Sequence, residues 1–455
     1  MGVRLLTELL RSLTAEERRE SALWLASPLH NRREDVRSMF NLLLQNPASS
    51  REVVFAELYP GSPFSDVRYR QVAHQLLRRL EDYLRWHHGR ERHTLPDLLD
   101  LYRKRGLEAH YATRLRRHRP PTPASIADYR TAYSIARHRD RLAVRGDARD
   151  ATPERSTEEA LAHYVLLLWL REATAALTQP TLPLRARQKI EREAEHRPAP
   201  TTFDPDLHPL PFCYLTALHL QLRIGATSLD DLTTALTRYG NALGREERRD
   251  LLLLAINYGL RAANGGDESA LPLTLDLYRY GLDSGVLYDR GRLSRFSFNN
   301  IVALYLRQQK IALARSFVAE QRDRLEEVHR EEIIALAEAR LAYAEGKDGQ
   351  VLEHLQRADF RDFIHHMTAR VLQLKVYFRQ EEDRLLSAHL SSTSRLLRRR
   401  TKVTYHLENY RNIFRLARAI LRLPPGRSRE REELRRRIGA AQPCTERAWL
   451  LEYVG

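Results

Sequence analysis

The chain has 455 residues, 43% of them hydrophobic and 29% charged, which is enough apolar material to build buried cores and too much for disorder throughout. Its formal net charge is +16, yet only six of the 75 basic residues are Lys, so 69 are Arg. Two cysteines, Cys213 and Cys444, stand far apart without CxxC spacing, which excludes a disulfide framework and a Cys-rich zinc site.

An excess of Arg over Lys on this scale fits a GC-rich coding bias, in which Arg fills ordinary solvated positions. The layout of the charge carries more information than its sum. Residues 395–437 hold 15 basic and 4 acidic side chains, and residues 85–119 hold 10 and 4, so the remainder is close to neutral. The N-terminus meets charge at Glu8 and Arg11, which breaks any secretory apolar region, and Leu6 stands where a myristoylation signal wants a hydroxyl. The longest apolar runs, residues 164–170 and 251–256, are too short to span a bilayer. The expectation is a cytoplasmic protein with no membrane partner.

Taken in chain order, apolar residues recur at three and four spacing and no stretch alternates with period two, so the expected fold is all-α. Thr14 with Glu17, Ser49 with Glu52 and Ser156 with Glu159 fit capping boxes, and Asn31 with Glu34 is a looser version. Stop signals fall at Asn46-Pro47, Pro60-Gly61, Gly89, Pro120-Pro121, Gly146, Gln179-Pro180, Gly225, Gly265-Gly266, Gly346 and Pro424-Pro425-Gly426. Between them lie about twenty helices of about 10–20 residues, and short connections make successive ones antiparallel hairpins. Two proline-rich seams, residues 119–124 and 197–211, divide the chain into an N-terminal helical unit (1–120), a middle helical segment (121–200) and a C-terminal helical-hairpin array (205–455).

In the stretch FSFNNIVALYLRQQKIALARSFVAEQ, Phe298, Ile301, Tyr305, Ala314 and Val318 stand where a tetratricopeptide repeat places its interlocking apolar and small residues. Tyr343 and Tyr377 follow Tyr305 after 38 and 34 residues, although Arg340 and Gln356 occupy positions that the repeat fills with small and apolar residues. Residues 296–400 thus resemble a degenerate tetratricopeptide array, which implies an α-solenoid of stacked hairpins. The strings ESALWLASPLHNRREDVRSMFNLLL, VVFAELYPGSPFSDVRYRQVAHQLLRRLEDYL and ERAWLLEYV are similar to an uncharacterised family of helical proteins from Bacteroidota-type bacteria. That resemblance implies a fold and brings no activity.

Chemistry-bearing motifs are scarce. The sequence has no GxxxxGK[ST], no GxGxxG after a strand, no HExxH and no GxSxG. Glu193 with His196 and Glu326 with His329 have ExxH spacing, but both sit in charged strings that read as solvated helix. His87-His88 reads as a helix end, and His366 as lining a helical interface with Met367 and Val371. Cys213 reads as a core thiol and Cys444 as a non-catalytic one. The expectation is no cofactor, no metal and no catalysis.

The helices around 50–58 and 66–85 have the order of a helix-turn-helix, with Arg68, Arg70, Gln71, His74 and Gln75 outward, but the turn is long for that motif and hairpin packing is the expected arrangement. The stronger lead lies near the C-terminus. A helix over about 402–423 carries an apolar stripe of Val403, Leu407, Tyr410, Phe414, Ala417 and Leu421, and Arg411, Arg415, Arg418 and Arg422 form a ridge along its flank. Arg395, Arg398, Arg399 and Lys402 extend the basic face upstream. Guanidinium groups in such a row suit carboxylates or phosphates, which they grip bidentately. The expected role is an intracellular scaffold or adaptor holding an acidic protein partner, with nucleic-acid binding along the same ridge as the alternative.

Overall fold

Leu, Ala, Arg and Glu fill the periodic stretches, and the chain forms helix wherever they do. The computed structural model describes residues 2–47, 49–90, 95–145, 156–179, 182–400, 405–423 and 428–454. Among them are twenty-three α-helices and almost no strand, so the protein is all-α.

Contacts divide the chain into two compact units, one of Met1–His118 with Arg137–Ala148 and one of Arg119–Ala136 with Arg149–Gly455. The first is built from α1 (Gly2–Ser12), α2 (Ala15–Ala26), α3 (Glu34–Gln45), α4 (Arg51–Leu58), α5 (Asp66–Arg90), α6 (Leu95–Lys104), α7 (Glu108–Arg117) and the second half of α8 (Ile126–Arg145). Leu6, Leu25, Phe40, Phe55, Val72 and Leu76 make one buried cluster in which α1, α2, α3 and α4 all pack on α5. The capping box at Thr14 forms as expected. The cap of α4 is Ser50 rather than Ser49, and Asn31 caps nothing. Its buried amide instead donates to the carbonyls of Leu25 and Arg33, which closes the α2–α3 turn. Gly89 does not stop α5, because a helical glycine costs only about 1 kcal/mol and the helix runs on to Arg90.

The second unit holds α9 (Ser156–Thr178), α10 (Leu184–Glu195), α11 (Pro209–Leu222), α12 (Leu229–Tyr239), α13 (Arg245–Gly265), α14 (Ala270–Asp283), α15 (Arg295–Arg307), α16 (Ile311–Gln321), α17 (Glu327–Ala344) and α18 (Asp348–Gln356). Then come α19 (Phe363–Arg379), α20 (Asp383–Arg398), α21 (Tyr405–Leu421), α22 (Ser428–Ala440) and α23 (Arg447–Glu452). One departure from helix was not expected. Tyr288–Asp289 pairs antiparallel with Arg292–Leu293 across Arg290 and Gly291, both at positive φ, as a two-residue hairpin turn requires.

From α11 onward each helix packs on its successor and several pack on the next but one, as α11 does on α13, α12 on α14, α15 on α17, α17 on α19 and α21 on α23. The core runs with them. Ile333, Ala337 and Leu341 turn one face of α17 into a cluster that reaches back to α9, while Leu336, Ala339 and Ala342 turn another toward α18 and α19. Likewise α19 gives Ala369, Leu372 and Val376 to one cluster and Met367, Val371, Leu374 and Phe378 to the next. A helix buried on two faces loses the single apolar stripe of a surface helix. Phe298, Ile301, Tyr305, Ala314 and Val318 are all buried where α15 meets α16. Arg340, which departs from the repeat pattern, is half-buried and donates to the Asn299 carbonyl at 3.1 Å. The window Thr157–Thr178 is long and apolar enough by composition to cross a membrane, but its Leu166, Leu167, Leu170 and Leu177 belong to the unit's core.

Candidate anion-binding cleft

The last carbonyls of a helix lack intrahelical donors and take them from outside. At the end of α20 they take one from α21, and a second arginine of α21 reaches the middle of α20. Arg411 Nη2 donates to the carbonyls of Leu397 and Arg400 at 3.3 and 3.0 Å, and Arg418 Nη2 to the Leu390 carbonyl and Ser394 Oγ at 2.9 and 3.0 Å. Both residues are half-buried. The ridge therefore splits into two sets. Arg411 and Arg418 clamp α20 to α21, whereas Arg415 and Arg422 are exposed, Arg415 Nη2 donating to Asn412 Oδ1 at 2.9 Å.

Between α20, α21 and α22 lies a cleft of about 1200 Å³. Buried Leu397, Phe414 and Leu434 line it together with half-buried Ala419 and Leu423. All four ridge arginines line it, joined by Arg398 from α20 and by Arg429, Arg436 and Arg437 from α22. Glu430 and Glu433 are the carboxylates on its wall, and Glu433 pairs with Arg436 at 2.8 Å. Among the described residues, Arg398, Arg415, Arg422, Arg429 and Arg437 form no ion pair. Positive charge gathered in a concave surface focuses the field on an anion.

Of the other residues expected on this face, Arg395 and Arg399 are exposed at the end of α20 but stand outside the cleft lining, and Lys402 lies outside the described residues, as do Val403 and the Pro424-Pro425-Gly426 break. Gly146, Pro180 and the side chain of Ser156 also lie outside them. Arg429 was missed. Its signal is the seven-residue spacing to Arg436, which puts both on one face of α22 two turns apart.

A second polar cluster is closed to solvent. His365 Nδ1 lies 2.6 Å from Glu332 Oε1, and its Nε2 lies 3.1 Å from Asn299 Nδ2. With the ring neutral, Nδ1–H donates to the carboxylate and Nε2 accepts from the amide. His365, Glu332 and Asn299 are all buried, joining α15, α17 and α19. The interface histidine is thus His365 and not its neighbour His366, which is half-buried beside Arg370. Glu193 accepts from Trp169 Nε1 at 2.6 Å, so that ExxH glutamate is a packing residue. Among the described residues no three His, Cys, Asp or Glu side chains gather as a metal requires. Cys213 and Cys444 are free and buried, and burial pushes the Cys213 thiol up to about 12. In the first unit Arg68, Arg70, Gln71 and His74 are exposed on α5, with Gln75 half-buried; Arg70 pairs with Asp66 at 2.6 Å and Arg68 stacks over Tyr59.

Fold and cleft together define an all-α protein with an arginine-lined groove near its C-terminus. Comparison with family models, with curated proteins and with solved structures gave no match.

Proposed function

We propose that the protein is a non-catalytic intracellular scaffold whose second unit is a degenerate, tetratricopeptide-like array of helical hairpins, and that the cleft between α20, α21 and α22 holds an acidic segment of a protein partner. The observation that carries the binding reading is the arginine-lined wall of the cleft, five of whose guanidinium groups form no ion pair among the described residues. Leaving like charges at this spacing costs stability, a few tenths of a kcal/mol per pair, so an anionic occupant relieves a standing repulsion. Half-buried Ala419 and Leu423 add apolar surface, which a protein partner can cover and a bare phosphate backbone cannot. The array reading is supported by the next-but-one packing and by α17 and α19, each buried on two faces, since stacked hairpins bury a shared core between neighbours. The two free thiols are in keeping with a cytoplasmic location.

Competition between polyglutamate and single-stranded DNA of equal charge, on the full chain, tests the partner class. The proposal expects polyglutamate to bind, with Arg398, Arg415, Arg422 and Arg429→Ala abolishing binding while circular dichroism stays unchanged. Tighter binding of the DNA, lost in the same variant with a steep log–log salt dependence, makes the ridge a phosphate track instead.

A further inference from the structure

The connector from α22 to α23 is held by the helices beneath it as a peptide ligand would be. Asn412 Nδ2 donates to the Pro443 carbonyl at 3.0 Å, Asn409 Oδ1 accepts from the Thr445 amide at 2.8 Å, and Asn409 Nδ2 donates to Thr445 Oγ1 at 3.1 Å. Both asparagines are buried and stand one turn apart on α21. The carbonyl before Cys444 and the amide after it are the pair that one edge of an extended chain presents, so two side-chain amides do here what a neighbouring strand does in a sheet. Arg415 Nη2 occupies Asn412 Oδ1, which leaves the Asn412 amide for the carbonyl. Further along, Glu446 meets Lys375 Nζ of α19 at 2.5 Å and lies in the field of Arg340 on α17.

Contacts to the main chain read no side chain. Selection rests on two features: a small apolar side chain at the place of Cys444, which is buried among residues of α19 and α21, and a carboxylate two residues on.

The resident segment fits imperfectly. Arg447 Nη1 and Nη2 reach the carbonyls of Gly265, at the end of α13, and of Ala441, at 3.1 and 2.7 Å. Its Nε, however, is buried with no acceptor among the described residues, and so is Trp449 Nε1. A buried donor without an acceptor keeps the cost of its lost water, and release of the segment returns both donors to solvent.

We infer that Asn409, Asn412 and Lys375 form a peptide receptor closed in cis by residues 443–446, and that its external ligand is an extended partner segment with a small apolar residue two positions before a carboxylate. Nothing in this receptor depends on an occupant of the arginine-lined cleft, with which it shares Arg415 alone.

Two readouts on the full chain test the receptor. One is the rate at which Cys444 reacts with a thiol reagent, with buried Cys213 as the internal measure of global unfolding. The other is fluorescence anisotropy with a labelled, amidated peptide of residues 440–446 carrying Cys444→Ala. Arg447→Ala and Glu446→Gln in the chain weaken the closing segment and spare the receptor. Each is expected to raise Cys444 reactivity about tenfold and to tighten peptide binding by the same factor, because both readouts follow the open fraction. Asn409→Ala with Asn412→Ala is expected to raise the reactivity as well, but to weaken the peptide by at least about tenfold. Where Arg447→Ala exposes Cys213 as fast as Cys444, Glu446→Gln alone decides. Raised reactivity without peptide binding at millimolar concentration overturns the receptor and makes these contacts ordinary packing. Peptide binding that survives the asparagine changes overturns it too, and unchanged Cys444 reactivity in Arg447→Ala and Glu446→Gln overturns closure in cis.

Discussion

Arg411 and Arg415 lie one turn apart on α21 and serve opposite ends: Arg411 closes the backbone of α20 through two carbonyls, and Arg415 lines the cleft, its Nη2 donating to Asn412 Oδ1. Arg411→Ala removes two charge-assisted hydrogen bonds and leaves the Leu397 carbonyl with only backbone amide donors, that of Arg400 at 3.4 Å, at a cost of about 1–2 kcal/mol. Arg415→Ala, at an exposed position, stays within about 0.5 kcal/mol of the parent. Urea unfolding of the two variants checks the split. Equal effects would show that the two groups do the same job.

His365 and Glu332 form a buried acid–imidazole contact that, with Asn299, ties three helices together. His365→Ala leaves a buried carboxylate and the Asn299 amide without their partner, and is expected to cost about 3–5 kcal/mol. Adding Glu332→Gln to it removes the stranded charge, so the double variant is expected to recover part of that loss. A double-mutant cycle on thermal unfolding reads the coupling, and strict additivity would contradict it.

Stability also carries a histidine signature. Burial, helped by the charge of Arg370, lowers the pKa of His389 to about 4, against the pull of its Nε2–H bond to the Arg370 carbonyl at 2.8 Å. The unfolded chain takes up this proton near pH 6.5 and the folded one only near pH 4. The neutral ring therefore stabilises fully above pH 6.5, and that stability is lost as the pH falls toward 4. Between pH 7 and pH 4.5 the parent is expected to lose about 2–3 kcal/mol more than His389→Gln. Parallel pH profiles for the two would refute the assignment.

The α13–α14 contact depends on Gly259, where an added Cβ would land on Thr274 Oγ1. That hydroxyl is buried and donates to the Ala270 carbonyl at 2.6 Å, and Leu229 Cδ2 and Thr274 Cβ would stand 3.1 and 3.2 Å from the added carbon. Gly259→Ala is expected to destabilise by about 1–3 kcal/mol, and adding Thr274→Ala to restore part of it. Calorimetric melting of the two variants is the check.

Much of this was legible in the sequence because it is local. Helical periodicity, the capping box at Thr14 and the arginine spacing on α21 depend on residues within a few turns of one another. What escaped the reading depends on distant neighbours. Nothing in the spacing of 411, 415, 418 and 422 distinguishes clamp from ligand-facing arginine, because the distinction is made by carbonyls of α20. His365 and His366 are adjacent and alike, and only the position of Glu332, on another helix, buries the first. Ser49 and Ser50 are equivalent as caps until Val53 offers its amide to the second.

Amide hydrogen exchange of the full chain with and without saturating polyglutamate tests the central claim most directly, since it reports where the acidic chain sits. The account predicts slowed exchange confined to α21, α22 and the end of α20. Protection in residues 85–119 instead, or none along α21, would contradict it.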